Sequence, residues 1–140
     1  MSAYIRKVQY HETDKMGITH HSNYIKWMEE ARIWFLEGIG YSYARMESDG
    51  MISPVTAVEC KYKQSSTFDD EISVRVWIKA FSGVRLIIGY EMKNTATGLL
   101  VAEGHSEHCF TKPAGRPIVL KRQFPELDRL FRDLAAHTEG

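Results

Sequence analysis

A change of hydrophobic period just after residue 22 constrains this chain more than any other feature. Tyr24, Trp27, Met28, Ala31 and Phe35 recur at i, i+3, i+4, i+7 and i+11, the spacing of one side of a helix. Ile25, Ile33, Trp34 and Leu36 add apolar surface beyond that stripe. A helix apolar most of the way round is usually buried on more than one side, so the segment from about 23 to 38 is expected to be central. Ser22 or Asn23 suits its cap, and Gly38 with Gly40 supplies stop signals. At ~1.5 Å per residue the helix should run roughly 24 Å.

Most of the remaining chain alternates with period two. Residues 3–11 read as a strand, and so does Pro54–Lys63, where Val58, Cys60 and Tyr62 share a face. Glu71–Ala80 sets Ile72, Val74, Val76 and Ile78 against Ser73, Arg75, Trp77 and Lys79. Ser82-Gly83 reads as a hairpin turn into Val84–Asn94, and Thr95–Gly98 as the turn before Leu99–Lys112. Short turns between consecutive strands imply antiparallel pairing. Helical spacing returns in Leu127, Leu130, Phe131 and Leu134, within Pro125–His137. Glu12–Ser22 and residues 40–54 read as loops. The expected class is α+β: a five-stranded antiparallel sheet, one long central helix and a short C-terminal helix. At 140 residues the chain suits a single domain, 1–140, able to bury a core without a metal or disulfide staple.

Composition removes several functions. Eighteen basic residues balance eighteen acidic ones, which argues against a general nucleic-acid binder. Cys60 and Cys109 are too few and too isolated for a disulfide framework or a zinc quartet. The amino terminus lacks a signal peptide's apolar run, and no stretch reaches the length of a membrane span. The expectation is a soluble, cytoplasmic protein. His105 and His108, three apart in a strand, should face opposite ways, which disfavours a metal pair. Gly104-His105-Ser106-Glu107-His108 begins like the elbow of serine hydrolases, but it lies mid-strand and ends in His, so Ser106 reads as a strand serine.

Asp14-Lys15-Met16-Gly17 through His20-His21-Ser22-Asn23-Tyr24 places a carboxylate in a glycine-containing loop just before a buried helix. Free N–H groups of the first helical turn suit a carbonyl oxygen gaining negative charge, and one such donor can lower an acyl-transfer barrier by ~2.7–4 kcal/mol. A carboxylate facing that hole could attack the carbonyl or activate water. On the residues alone a plainer account is open: Asp14 caps a turn and Gly17 supplies a positive φ.

The stretch from Tyr10 to Tyr24, followed by Glu30-Ala31-Arg32, resembles the hotdog-fold acyl-CoA thioesterases of the 4-hydroxybenzoyl-CoA thioesterase type, in the branch with an Asp-x-x-Gly-x-x-x-His-x-x-Tyr signature. The likeness continues through Glu59-Cys60-Lys61-Tyr62, Phe68-Asp69-Asp70 and Gly115-Arg116-Pro117. It implies a hotdog fold, a helix wrapped by the sheet, and hydrolysis of an acyl-CoA to a carboxylic acid and free CoA. Asp14 would be the catalytic carboxylate, and His21 would supply the helix-terminal N–H that polarises the thioester. Gly17 would shape the loop, with Asn23, Tyr24 and Trp27 beside the substrate. No cofactor is implied, since coenzyme A belongs to the substrate. A thiol with pKa near ~8.5 leaves as thiolate without a strong general acid, so no Ser-His-Asp triad is needed.

Residues 24–43 hold Tyr24, Trp27, Trp34, Phe35, Tyr41 and Tyr43, which could line an acyl pocket or pack the core. In the 4-hydroxybenzoyl branch, basic residues near the third hairpin hold nucleotide phosphates. The corresponding candidates are Lys79 and Arg85, which equally suit a solvated strand face. The readings kept beside acyl-CoA hydrolysis are a thioesterase acting on acyl carrier protein and a non-catalytic acyl-CoA binding protein. The resemblance also implies a homodimer or homotetramer with its site between subunits.

Overall fold

The computed structural model describes residues 3–137. Five strands, β1 (Tyr4–Lys7), β2 (Val55–Tyr62), β3 (Glu71–Phe81), β4 (Leu86–Asn94) and β5 (Leu100–His108), make one sheet in the order β1-β3-β4-β5-β2. Every neighbouring pair is antiparallel. Alternation puts Ile72, Val74, Val76 and Ile78 of β3 and Leu86, Ile88, Tyr90 and Met92 of β4 on one buried face.

Helix α1 (Ser22–Gly38) lies along that face with Tyr24, Trp27, Met28, Ala31 and Phe35 buried. Each large apolar side chain taken out of water there contributes about 1.5–3 kcal/mol. The expected α+β arrangement of a long helix wrapped by a five-stranded antiparallel sheet is therefore present. Burial of α1 on more than one side is not, within one chain. Ile33 is 37% exposed, and Ile25 and Trp34 are only partly covered. A single sheet layer has one inner face and covers one stripe.

Several boundaries differ from the alternation. The strand expected over 3–11 stops at Lys7, and Tyr10–Glu12 forms a 3-10 turn. The Glu12 carboxylate draws the chain inward by accepting from the Gln9 N–H at 2.8 Å and from Arg6 at 2.7 Å. Neither Ser22 nor Asn23 caps α1, whose cap position is His21. The 40–54 loop contains a helix, α2 (Tyr43–Ser48), capped by Ser42 Oγ, which accepts the Arg45 N–H at 3.1 Å. Six residues are too few for a periodic stripe to show. The last strand ends at His108, and α3 (Leu120–Gln123) precedes α4 (Pro125–Ala136). Pro125 opens α4, and its Phe131 packs against Phe81 and Phe110.

β2 pairs only with β5, so its other side is an open edge. Val55, Val58 and Tyr62 on this strand are 49%, 45% and 48% exposed. This edge strand borders the site.

Candidate active site

The loop before α1 is closed by an antiparallel bridge between Thr13 and Thr19. Inside it the Asp14 N–H donates to the Ile18 carbonyl at 2.9 Å, and the Gly17 N–H donates to the Asp14 carbonyl at 2.9 Å. Gly17 has φ +81, and nothing lies within 4 Å of where a Cβ would stand, so it is the dihedral that requires glycine. Asp14 Oδ1 accepts the Met16 N–H at 2.8 Å, and Oδ2 meets no donor among the described residues. The turn-capping account of Asp14 is thus realised with half of the carboxylate, and the other oxygen stays available.

A buried peg holds this loop against the helix. Glu12 is 5% exposed; its carbonyl accepts from the His20 N–H at 2.8 Å and from Asn23 Nδ2 at 2.9 Å. Its Oε2 accepts the Trp27 indole N–H at 2.9 Å. At the amino end of α1, the His21 N–H has no acceptor among the described residues. That N–H is one of the orphan donors of a helix start, where the macrodipole also favours negative charge.

A groove of about 390 Å³ opens beside this donor, lined by Ile18, Thr19, His21, Tyr24, Tyr62, Lys63, Gln64 and Ser65. The His21 and Tyr62 rings meet edge to face at 5.9 Å, and the Tyr24 and Tyr62 rings lie 5.4 Å apart. Partial burial pushes the Tyr62 phenol above its ordinary value, so its proton is retained. Across the groove the 63–70 segment is fastened to the Asp14 loop: the Thr19 N–H donates to the Ser66 carbonyl at 2.8 Å, and Thr67 Oγ1 to the Gly17 carbonyl at 2.7 Å.

Among the residues expected at the site, His21 and Tyr24 line the groove. Asp14 and Gly17 lie on the adjoining loop, tied to it through Ile18. Asn23 and Trp27 do not reach it. The Asn23 amide is directed at the Glu12 and His20 carbonyls, and Trp27 is fully buried with its N–H on Glu12. Both hold the loop in place. Of the other aromatics in 24–43, Phe35 and Tyr41 are core, and Trp34 and Tyr43 pack against it. Tyr62, Lys63, Gln64 and Ser65 were not anticipated, because only the tertiary fold brings the end of β2 and the residues after it to the start of α1.

Two other polar groupings stand apart from this groove. Ser106 Oγ and His108 Nε2 are 2.7 Å apart, but both residues are 1% exposed and continue inward to Tyr90 and Arg32. A hollow of about 280 Å³ on the outer sheet face holds Lys79, Lys61 and Arg75 together with Glu59, Glu91 and Glu103, charges that offset one another. Arg85 is paired with Glu107. Neither Lys79 nor Arg85 therefore forms a basic patch.

Residues 8–131 match the model of a thioesterase-like superfamily. YneP of Bacillus subtilis (strain 168), which carries the name of an acyl-CoA thioesterase, is 34% identical over 120 residues, spanning 86% of this chain and 87% of its own. A DHNA-CoA thioesterase from Staphylococcus aureus superposes with a TM-score of 0.91 at 36% identity, covering 96% of this chain and 91% of the other. The gentisyl-coenzyme A thioesterase BH1999 superposes at 0.80 with 25% identity, covering 92% and 98%.

Proposed function

This chain belongs to the thioesterase-like superfamily and is a thioester hydrolase, and from that premise we propose that it cleaves acyl-CoA at the junction of the Asp14 loop with α1. The observation that carries the reading is the unpartnered His21 N–H at the mouth of the groove, with Asp14, one carboxylate oxygen free, on the loop tied to that groove through Ile18. The thioester carbonyl accepts from the His21 N–H, and the acyl group enters along Ile18, Tyr24 and Tyr62. Water attacks the carbonyl carbon while Asp14 takes its proton. Collapse of the tetrahedral intermediate breaks the C–S bond, and the departing thiolate recovers the proton from Asp14 or solvent. Direct attack by Asp14 would pass through an anhydride instead. Single-turnover hydrolysis in oxygen-18 water separates the two, since label in Asp14 marks the anhydride route.

The reading assigns no cofactor beyond the CoA of the substrate and sets the reaction in the cytoplasm. No helix among the described residues is long and apolar enough to cross a membrane. We further propose a homodimer formed across the open edge of β2, because an exposed strand carrying Val55, Val58 and Tyr62 gains from pairing. Tyr62 both lines the groove and belongs to that edge, so a partner strand would complete the site. Light scattering tests this, since full specific activity in a stable monomer would refute a shared site.

The experiment that tests the reaction compares wild type with Asp14→Asn on a panel of acyl-CoA thioesters, following released thiol. Turnover in wild type, cut by ~10²-fold or more in a folded variant, is the expected result. Binding without hydrolysis by either protein would replace catalysis with acyl-CoA binding.

A further inference from the structure

Arg32 is a buried cation with no counter-charge. It is 7% exposed, and no carboxylate pairs with it among the described residues. Its Nε donates to Tyr43 OH at 3.2 Å and its Nη1 to Tyr90 OH at 3.0 Å. Nη2 meets no acceptor among the described residues, yet it is not sealed from solvent. A guanidinium keeps its charge at every working pH, and taking it out of water without an anion is costly. Since Arg32 only donates, the Tyr43 oxygen accepts from it, and the Tyr43 O–H proton has no acceptor among the described residues. Two donors are thus unspent beside a bare positive charge.

The position of that charge relates it to the groove. Val58, Cys60 and Tyr62 of β2 stand opposite Ser106, Gly104 and Ala102 of β5, whose β4 neighbours Ile88, Tyr90 and Met92 are core, so all face α1. Val58 and Tyr62 are nevertheless nearly half exposed, so the sheet extends past the helix and leaves a trough along β2. Tyr24 meets Tyr62 at one end of it. At the other end Arg32 reaches through Tyr90 to Ser106, the residue opposite Val58. Helix and strand therefore run side by side in opposite directions, and the trough leads from the His21 N–H toward the guanidinium. The helix climbs roughly 16 Å from His21 to Arg32, and a long helical side chain leans back toward the amino end. The remaining gap of roughly 10 Å suits an acyl group of medium chain or a single substituted ring. Glu59, the one acid of β2, lines the outer hollow, so a second copy paired along this edge brings no carboxylate to Arg32 from that strand.

We infer that Arg32 and Tyr43 form the far end of the acyl pocket and select an acyl group with a carboxylate at the end remote from the thioester. The inference rests on the thioesterase reading above and names the substrate class of that site, the CoA half-thioester of a dicarboxylic acid. The carboxylate accepts from Arg32 Nη2 and from the Tyr43 O–H. Neither residue takes part in breaking the C–S bond.

The test measures thiol release from matched pairs that differ by the remote carboxylate: hexanoyl- and adipoyl-CoA, octanoyl- and suberoyl-CoA, and benzoyl- and 4-carboxybenzoyl-CoA. Wild type is compared with Arg32→Gln, Arg32→Lys and Tyr43→Phe. In wild type the carboxylate-bearing member of at least one pair is expected to lead in kcat/KM by about tenfold or more. Arg32→Gln erases that lead, Arg32→Lys keeps part of it, and Tyr43→Phe lowers it a few-fold. The loss falls in KM rather than kcat, because the contact is made equally before and during reaction. If circular dichroism shows the Arg32 variants unfolded, Tyr43→Phe carries the test, since its half-buried ring stays in place. Wild type indifferent to the carboxylate in every pair, or variants that slow both members of a pair equally, overturns the assignment and leaves the thioesterase reading standing. A shift of Arg32→Gln toward monomer in light scattering also overturns it, by assigning the charge to a subunit contact. Silence of wild type across the whole acyl-CoA panel removes the thioesterase reading as well.

Discussion

The indole N–H of Trp27 ends on Oε2 of Glu12 at 2.9 Å, joining the second turn of α1 to the chain that leads into the Asp14 loop. Glu12 also holds Arg6 and the Gln9 N–H through Oε1, so one buried carboxylate organises three donors. Glu12→Gln keeps the shape but removes the charge, leaving the Arg6 guanidinium, whose side chain is 11% exposed, without this partner. The unfolding free energy should fall by about 2–4 kcal/mol, read from urea denaturation. Unchanged stability would mean that the loop is held by something else.

Gly17 should tolerate a side chain in space but not in dihedral. With φ at +81 and open surroundings, Gly17→Ala is expected to cost roughly 1–2 kcal/mol. Activity should fall more than stability explains, because the strain is released by moving the loop that carries Asp14. Comparing kcat with the unfolding midpoint of the same variant checks this.

Two glycines of the sheet should differ in what they can absorb. A Cβ on Gly104 would stand 2.0 Å from the Glu59 carbonyl oxygen and 3.0 Å from Cys60 Cα, both backbone atoms of β2. A Cβ on Gly89 would meet the Trp77 ring at 2.5 Å, and a ring can swing away. Gly104→Ala should therefore cost more than about 3 kcal/mol and loosen β2, while Gly89→Ala costs about 1–3 kcal/mol. Thermal melts of both variants decide the order, and the reverse order would contradict this packing.

His108 makes folding sensitive to acid. Burial first, and the Arg32 guanidinium second, hold its imidazole down to about 4 from 6.5. Between those values the unfolded chain binds a proton that the folded chain excludes. Stability is therefore full above pH 6.5 and falls as pH drops toward 4, by about 3 kcal/mol at most from this group. Urea midpoints taken above and below that window should show the fall, and His108→Gln should flatten it. An equally steep profile in that variant would assign the effect to the carboxylates.

What could be read from residue order follows from the range of the forces involved. The stripe from Tyr24 to Phe35 and the alternation of Ile72 to Ile78 report local geometry, so α1 and the sheet strands emerged with their faces correct. Strand β1 did not end where alternation suggested, because the signal that stops it is Glu12 meeting Trp27 and Arg6 in the folded state. Helix α2 is too short to display a period. At the site, Asp14, Gly17, His21 and Tyr24 were legible because they lie in one contiguous motif. Tyr62, Gln64 and Ser65 were not, since a strand end or loop carries no local mark of which helix it will face. Asn23 and Trp27 shared the motif's neighbourhood and proved to be its supports.

Strand β2 precedes β3 in the chain, yet it takes its place at the far edge of the sheet, with Tyr62 opposite Ala102 of β5. The consequence concerns time. The meander from β3 to β5 closes by short turns and can form early, whereas β2 must wait for a pairing with much larger loop closure. During synthesis Tyr62 leaves the ribosome before the strand that will anchor it exists. The groove wall is then among the last parts of the molecule to be set, and an interrupted chain ending before Leu100 would carry the whole Asp14 motif with no β5 against which β2 could seat that wall.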